Sequence, residues 1–223
     1  MSFNIASYID HTVLKPDADK NSIRLLCNEA VQEQFAAVCI PPYFISFAKE
    51  LLEDSKVKIA TVIGFPLGYN STASKLQDIA DTINAGADEL DVVHNVTAVK
   101  NGDWQYASDE IRKCTELIHS KSKIIKVIVE SGMLTDEELA HCCEYYAPCG
   151  IDFMKTSTGF SATGATVHSV QLMRNFLPIE ISIKASGGIR NFAFAKELID
   201  AGANRIGCSA SMQILKESKE ALH

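Results

Sequence analysis

Short runs of apolar, β-branched residues alternate along this chain with segments whose apolar residues recur at helical spacing. Near-continuous apolar runs are typical of strands in a parallel sheet that is covered on both faces. Seven runs predict strands, and a shorter run at residues 9–13 predicts an eighth. The seven lie at residues 38–40, 58–65, 89–94, 124–130, 152–156, 180–185 and 205–209.

Capping signals between the runs predict the connecting helices. Gly86 and Gly202 fit the left-handed position just past a helix carboxyl end. Thr135 and Glu138 have the spacing of a capping box, in which each residue satisfies a backbone N–H group of the other. Asn191 can cap the helix that follows the Gly-Gly pair at 187–188. The chain therefore repeats a strand–helix unit.

The number and length of these units predict the fold class. The 223 residues, divided among eight units, give about 28 residues each, close to the ~30 of a βαβ unit. We therefore expect an α/β protein, a (β/α)8 TIM barrel that forms a single domain over residues 1–223. An open, doubly wound sheet is the alternative, but no G-x-G-x-x-G motif follows the first strand.

Charge and composition narrow the class of partner. The net charge is −7, which argues against a sequence-independent nucleic-acid binder and requires a locally positive site for any anionic ligand. The most apolar stretch, residues 59–69, is too short and too rich in Gly and Pro to span a membrane. The seven cysteines are odd in number, include no C-x-x-C pair and predict reduced thiols in a cytoplasmic protein. The six histidines lack zinc-ligand spacing, so no metal site is expected.

Three charged residues fall at predicted strand ends, where a TIM barrel carries its active site. Lys155 and Lys184 lie late in neighbouring strands, and Asp91 lies in a third. Burying an unpaired ammonium group is costly, so these lysines predict chemistry; structural salt bridges, or chains that extend to solvent, are the alternative. Two ammonium groups ~4 Å apart repel by roughly 4 kcal/mol, which would lower one lysine pKa to near 7. The neutral amine could then attack a carbonyl and form a Schiff base.

Glycine-rich loops supply a candidate anion site. Gly187 and Gly188 precede Arg190 and a predicted helix, an arrangement in which backbone N–H groups and the helix dipole favour a phosphate. Ser209 ends the last strand and could add a hydroxyl group. Thr158 and Gly159 follow the strand of Lys155, where a phosphate or substrate contact and a plain turn are both open.

The first predicted strand carries a polar cluster. Asp10 could hydrogen-bond within the site or cap the next segment, and the residues leave both readings open. His11 is interpreted as a structural histidine, and Cys39 as a buried, unreactive thiol.

Several motifs, in one order and over nearly the whole chain, resemble those of the deoxyribose-phosphate aldolases, the DeoC-like class I aldolases. The motifs read DHTVLKP at 10–16, GFPLG at 64–68, ADELDVV at 87–93, KTSTGF at 155–160, KASGGIR at 184–190 and RIGCS at 205–209. The resemblance implies a TIM barrel that reversibly cleaves 2-deoxy-D-ribose 5-phosphate to D-glyceraldehyde 3-phosphate and acetaldehyde, in deoxyribose phosphate catabolism.

The resemblance also implies residue roles. The Schiff-base lysine falls on Lys155, the second active-site lysine on Lys184 and the proton-relay aspartate on Asp91. Phosphate contacts fall on Gly187, Gly188 and Ser209, and further site positions fall on Asp10 and Thr12.

The chain departs from the family pattern at several positions, two of which bear on the site. Some relatives have Lys where this chain has Phe160, so Arg190 or backbone N–H groups must hold the phosphate here. His94 places an imidazole beside the strand end of Asp91, where it could affect proton handling or simply pack.

The expected partner is a small phosphorylated sugar, with no organic cofactor, nucleic acid or membrane, and a homodimer stays open. Two other functions also stay open: another Schiff-base sugar-phosphate aldolase or an isomerase on the same fold, and a barrel that binds a sugar phosphate without catalysis. The lysine pair speaks against an isomerase, which needs a carboxylate base, and against a sensor, which needs no reactive amine.

Overall fold

A computed structural model describes residues 4–221 of the chain. Its eight strands are all parallel and pair in chain order, and β1 closes the barrel against β8. This arrangement confirms the predicted (β/α)8 TIM barrel and excludes the open sheet. The strands are β1 Ile9–Thr12, β2 Ala37–Ile40, β3 Lys58–Ile63, β4 Glu89–Val93, β5 Ile124–Ile128, β6 Phe153–Lys155, β7 Ser182–Ser186 and β8 Arg205–Cys208.

Helices surround the barrel and cover the outer face of the strands. The α-helices within residues 4–221 are α1 Lys20–Glu33, α2 Ile45–Leu51, α3 Thr72–Ala85, α4 Val96–Lys100, α5 Trp104–His119, α6 Asp136–Tyr146, α7 Val167–Phe176, α8 Phe192–Asp200 and α9 Ser211–Ala221. Four short 3-10 segments lie at Ile5–Tyr8, Pro42–Phe44, Ser131–Met133 and Ala147–Cys149. None of these helices is long and apolar enough to cross a membrane.

The predicted capping signals begin and end these helices. Thr135 and Glu138 form a reciprocal capping box at the start of α6, and the Asn191 side chain accepts a hydrogen bond from the first turn of α8. Gly86 ends α3 with a φ of 119°, a conformation that glycine adopts without a steric penalty. Local sequence therefore fixes where several helices begin and end.

Alternation along the strands separates a charged interior from an apolar outer layer. Successive side chains of a strand point to opposite faces, so Lys184 points into the barrel while its buried neighbour Ile183 joins the apolar core. Register then places the charged residues at similar heights. Asp91 pairs with Lys126 across β4 and β5, and Lys155 pairs with Lys184 across β6 and β7.

The strands end earlier than their apolar runs suggest. β3 stops before Gly64, whose φ is 63°, and β5 stops before the turn at Glu130, whose φ is 50°. A residue with a positive φ cannot continue a strand, so the backbone leaves β3 before Gly64 and β5 before Glu130 and enters loops above the barrel. β7 is shifted toward the carboxyl side of its predicted range and includes Ser186. All seven cysteines are free thiols.

Replacing Ile183 by alanine should cost about 2–5 kcal/mol of unfolding free energy, because it leaves a cavity in the fully buried layer between β7 and the helices. The matched control is Ile179→Ala, since Ile179 is 79% exposed and its loss should change stability by less than about 0.5 kcal/mol. Urea unfolding of both variants measures the difference. Equal losses would contradict the assignment of Ile183 to the core.

Candidate active site

A cavity of about 460 Å³ opens at the carboxyl ends of the strands. It contains three cationic side chains, and among the described residues no carboxylate lines it, although the whole chain is acidic. Such a cavity is a locally positive site that favours an anionic ligand. Its lining comprises Thr12, Val13, Leu14, Lys15, Lys155, Thr158, Gly159, Phe160, Ser186, Gly187, Gly188, Ile189, Arg190, Gly207, Cys208 and Ser209.

Lys155 stands at the floor of this cavity. It is the last residue of β6, is only 2% exposed and directs its Nζ to Asp91 Oδ2 at 2.8 Å. Among the described residues, Asp91 is its single ion-pair partner. Of the lysines that contact Asp91 within residues 4–221, Lys155 alone also lines the cavity. A ligand in the cavity can therefore reach this amine.

Asp91 accepts hydrogen bonds from three lysines inside the barrel. Its Oδ2 lies 2.8 Å from Lys155 Nζ and 2.7 Å from Lys184 Nζ, and its Oδ1 lies 2.9 Å from Lys126 Nζ. Burial alone would raise the pKa of Asp91, but the three ammonium groups outweigh burial and hold the pKa well below its usual range. Asp91 is therefore an ionised carboxylate that fixes the positions of all three amines.

Lys184 is sealed below the cavity between two carboxylates. Its Nζ lies 2.5 Å from Asp10 Oδ2 and 2.7 Å from Asp91 Oδ2, and the residue has no exposed surface. Burial acts to lower the pKa of Lys184, but Asp10 and Asp91 outweigh it and raise the pKa above its usual value. The Lys155 and Lys184 amines therefore converge on one oxygen of Asp91. The sequence predicted that the two lysines and Asp91 lie at one end of the barrel, but it did not predict this shared carboxylate oxygen.

A lower tier of charged residues extends the cluster and includes groups that sequence reasoning missed. Lys126 Nζ lies 2.6 Å from Glu89 Oε2, and Arg205 Nη2 lies 3.1 Å from the same oxygen. Arg205 Nε also donates to Asp10 Oδ1 at 2.6 Å. Lys126 interrupts the apolar run Ile-Ile-Lys-Val-Ile, the same signal that pointed to Lys155 and Lys184, and could have been found in that way.

Some polar residues of β1 belong to this ion network, and others line the cavity. Asp10 has no exposed surface, lies within the ion network and is not part of the cavity lining. Thr12 lines the cavity, and its hydroxyl donates to the Asp10 carbonyl at 2.8 Å. His11 pairs with Glu29 of α1 at 2.7 Å, which agrees with a structural histidine.

Backbone contacts between two loops form one wall of the cavity. Gly187 and Gly188 have φ values of 87° and 78°, which favour glycine, and a Cβ on Gly188 would meet no atom within 4 Å. The loop after β6 packs directly on this turn. Ala165 N lies 3.0 Å from the Ser186 carbonyl, and a Cβ added to Gly164 would lie 2.2 Å from the Gly187 carbonyl oxygen.

The turn after Lys155 is held by another buried carboxylate, that of Glu130. Glu130 accepts hydrogen bonds from Thr158 Oγ1 at 2.5 Å and from Thr158 N at 3.3 Å. The Thr158 hydroxyl therefore donates within the protein and shapes the turn, while Gly159, Arg190 and Ser209 line the cavity as exposed residues. Sequence reasoning placed Glu130 at a strand end but missed its role in holding this turn.

His94 lies outside the reacting centre. Its Nδ1 is 2.9 Å from the hydroxyl of Tyr146 on α6, and neither residue has exposed surface. Burial, assisted by the nearby charge of Lys75, lowers the pKa of His94 to about 3, so the imidazole is neutral. Of the two roles open from sequence, the structure supports packing. Cys39 Sγ lies 4.0 Å from Asp91 Oδ2, and burial raises the pKa of this thiol.

The comparisons with known proteins agree with this geometry. The profile of the DeoC/LacD family aldolases matches residues 4–216. The chain belongs to this aldolase family. The deoxyribose-phosphate aldolase of Thermoanaerobacter pseudethanolicus is 48% identical over 215 residues, covering 96% of either chain. That of Caldanaerobacter subterraneus subsp. tengcongensis is 46% identical over 218 residues, which are 97% of this chain and 94% of the relative.

A solved structure supports the same family. The deoxyribose phosphate aldolase from Aeropyrum pernix, described as a unique tetramer, superposes with a TM-score of 0.91 and 32% identity. The match covers 97% of this chain and 92% of that one. The aldolase is therefore a carbon–carbon lyase on a TIM barrel, whereas a homodimer and a cytoplasmic location stay predictions for this chain. Within residues 4–221, no group of three or more His, Cys, Asp or Glu side chains is arranged to hold a metal ion.

Replacing Asp10 by asparagine should weaken the fold at neutral pH and flatten its response to acid. Burial opposes ionisation of Asp10, but Lys184, Arg205 and Lys126 outweigh it and hold its pKa below the usual value. The stabilisation from this carboxylate is therefore present above its unfolded pKa of ~3.9 and is lost as the pH falls toward the folded value. We expect Asp10→Asn to lose roughly 3 kcal/mol at pH 7.

Urea unfolding between pH 7 and pH 3 tests this expectation. Because the variant lacks the Asp10 carboxylate at every pH, its unfolding free energy should fall less steeply below pH 4 than that of the wild type. Asp54→Asn, at an exposed position outside the barrel, is the control and should keep the wild-type slope. An unchanged slope for Asp10→Asn would show that Asp10 contributes nothing to the acid response.

Proposed function

We propose that this aldolase reversibly cleaves 2-deoxy-D-ribose 5-phosphate to D-glyceraldehyde 3-phosphate and acetaldehyde, with Lys155 as the Schiff-base nucleophile. The position of Lys155 carries the proposal, because its amine both lines the cationic cavity and touches the buried carboxylate of Asp91. Relatives that are 46–48% identical bear the name of this activity.

The first step forms a covalent bond between enzyme and sugar. The neutral amine of Lys155 adds to the aldehyde carbon C1 of the open-chain sugar phosphate and gives a carbinolamine. Its hydroxyl group takes up one proton from solvent and leaves as water, which gives the iminium ion. The iminium carbon is a stronger electron acceptor than the aldehyde. It can therefore accept the electron pair of the C2–C3 bond when that bond breaks.

The second step moves a proton and releases the phosphorylated product. As the C2–C3 bond breaks, the C3 hydroxyl loses its proton and becomes the aldehyde of glyceraldehyde 3-phosphate. Asp91 is assigned to relay this proton, with Lys184 as its partner. The reason is that the Lys155 and Lys184 amines hydrogen-bond to the same oxygen of Asp91. The remaining enamine is protonated at C2, and hydrolysis then releases acetaldehyde and restores Lys155.

The phosphate is assigned to the part of the cavity that is lined by the loops after β7 and β8. Gly187 and Gly188 supply the backbone turn, Ser209 supplies a hydroxyl group and Arg190 supplies a charge. Lys15, which sequence analysis left outside the site, is a further cation of the lining. Holding the phosphate there would orient C1 toward Lys155. The exposed aromatic ring of Phe160 contributes an uncharged surface at the cavity mouth.

Sodium borohydride added together with acetaldehyde should label Lys155 irreversibly, because borohydride reduces the iminium to a stable secondary amine. Peptide mass spectrometry should find an added C2H4 unit on Lys155 of the wild type and no label at position 155 of the Lys155→Met variant. The label on Lys155 should persist in Asp91→Asn while sugar cleavage falls by at least about 100-fold. An adduct on another lysine, or none, would falsify the nucleophile assignment.

Replacing Arg190 by glutamine should weaken binding of the phosphorylated substrate without disabling the reacting amine. We expect KM for 2-deoxyribose 5-phosphate to rise roughly 10-fold or more, since a charge-assisted contact contributes about 1.5–3 kcal/mol. The kcat/KM for unphosphorylated 2-deoxyribose should stay near the wild-type value. Lys56→Gln, an exposed lysine just before β3 and outside the cavity lining, is the control. An equal loss for both sugars would remove Arg190 from the phosphate site.

A further inference from the structure

The buried network inside the barrel contains more cations than carboxylates. Its seven ionisable side chains are connected by ion pairs, and six of them expose no more than 2% of their surface. The cations are Lys126, Lys155, Lys184 and Arg205, and the anions are Asp10, Glu89 and Asp91. With every group ionised, the network carries one excess positive charge inside the barrel.

Lys15 and Arg190 line the same cavity as Lys155 but, within residues 4–221, form no ion pair with the network. The other ionisable groups around the network also leave its charge count unchanged. β2 contributes Cys39, whose pKa is raised by burial and whose thiol is neutral. β3 contributes no ionisable side chain between residues 59 and 63. His11 pairs with Glu29 of α1. Glu130 bonds Thr158 and, within residues 4–221, forms no ion pair with a cation.

Loss of one proton would balance the network, and the contacts indicate which lysine gives it up. Lys126 lies near three carboxylates, at 2.6 Å from Glu89, 2.9 Å from Asp91 and 3.8 Å from Asp10. Lys184 lies near two carboxylates, whereas Lys155 has only Asp91. Lys155 is thus the ammonium group that the carboxylates hold least strongly.

We propose that Lys126 is a positioning residue for the reaction, which supplies the excess buried charge that favours the neutral amine at Lys155. It acts through Asp91, whose Oδ1 it occupies at 2.9 Å while Oδ2 receives the other two amines. This inference rests on the proposed role of Lys155. It assigns control over the protonation of the Lys155 amine to the charged side chain of Lys126 on β5, which does not line the cavity.

The charge count predicts opposite effects for two substitutions. In Lys126→Met the network is balanced while Lys155 is charged, so deprotonation would leave an uncompensated negative charge and require a higher pH. In Glu89→Gln the excess positive charge grows, so Lys155 should lose its proton at a lower pH. A shift on the order of one pH unit is expected in either direction. The double variant Lys126→Met/Glu89→Gln restores the original excess and should return to the wild-type profile.

The experiment measures how the initial rate of borohydride labelling of Lys155, at a fixed acetaldehyde concentration, depends on pH in the full-length enzyme. Mass spectrometry quantifies the label, so the result does not depend on sugar cleavage. Lys126→Arg retains the charge and should retain the wild-type midpoint. A purely structural role for Lys126 would lower the amount of labelled enzyme in both single variants without moving their midpoints apart.

The outcomes separate this inference from the proposed function. A wild-type enzyme without a label on Lys155 refutes both. If the wild type is labelled but Lys126→Met and Glu89→Gln have the same labelling midpoint, only the role of Lys126 is refuted. The same conclusion follows if both midpoints shift in the same direction. If Lys126→Met does not fold, Glu89→Gln and the double variant still decide the question, since their midpoints must differ from each other.

Discussion

One carboxylate shared by three ammonium groups is the interaction on which the site depends. Asp91 receives Lys155 and Lys184 at one oxygen and Lys126 at the other. Like charges that are close together repel one another strongly, and the ionised carboxylate is what allows the three amines to converge in the buried interior of the barrel. The hydrogen bond to Asp91 holds the Lys155 amine inside the barrel.

Barrel closure makes this convergence possible. The three lysines and Asp91 come from β4 to β7, four consecutive strands, and closure brings β8 and β1 beside them with Arg205 and Asp10. In an open sheet with the same strand order, the first and last strands would lie at opposite edges, and the Asp10–Arg205 and Asp10–Lys184 pairs could not form. The fold therefore completes the network, while loops at the carboxyl ends of the strands form the ligand cavity above it.

Much of this could be read from the sequence because the signals are local. Apolar runs located the strands, caps located several helix ends, and the charged residues inside those runs pointed to Lys155, Lys184 and Asp91. The motifs then indicated the aldolase family, which the comparisons confirm. The roles of the individual residues stay predictions.

Three-dimensional relations were harder to predict. Which charges touch depends on register across strands, so the Asp91–Lys126 pair and the deeper placement of Asp10 had no local signal. The repulsion between two lysines could be calculated from their residue types. The hydrogen bonds that both lysines make to one oxygen of Asp91 could not be predicted in that way. The turn held by Glu130 likewise depends on a contact between loops that are 28 positions apart.

The close contact of Gly164 with Gly187 has a consequence for the choice of sugar. It joins the loop that follows Lys155 to the turn proposed to hold the phosphate, with Ala165 N donating to both the Ser186 and Gly187 carbonyls. The two loops cannot separate without losing these bonds, so the span between amine and anion site is fixed by backbone rather than by flexible side chains. With the proposed roles of Lys155 and of the glycine turn, this backbone connection would set the length of carbon chain that fits between an aldehyde and its phosphate.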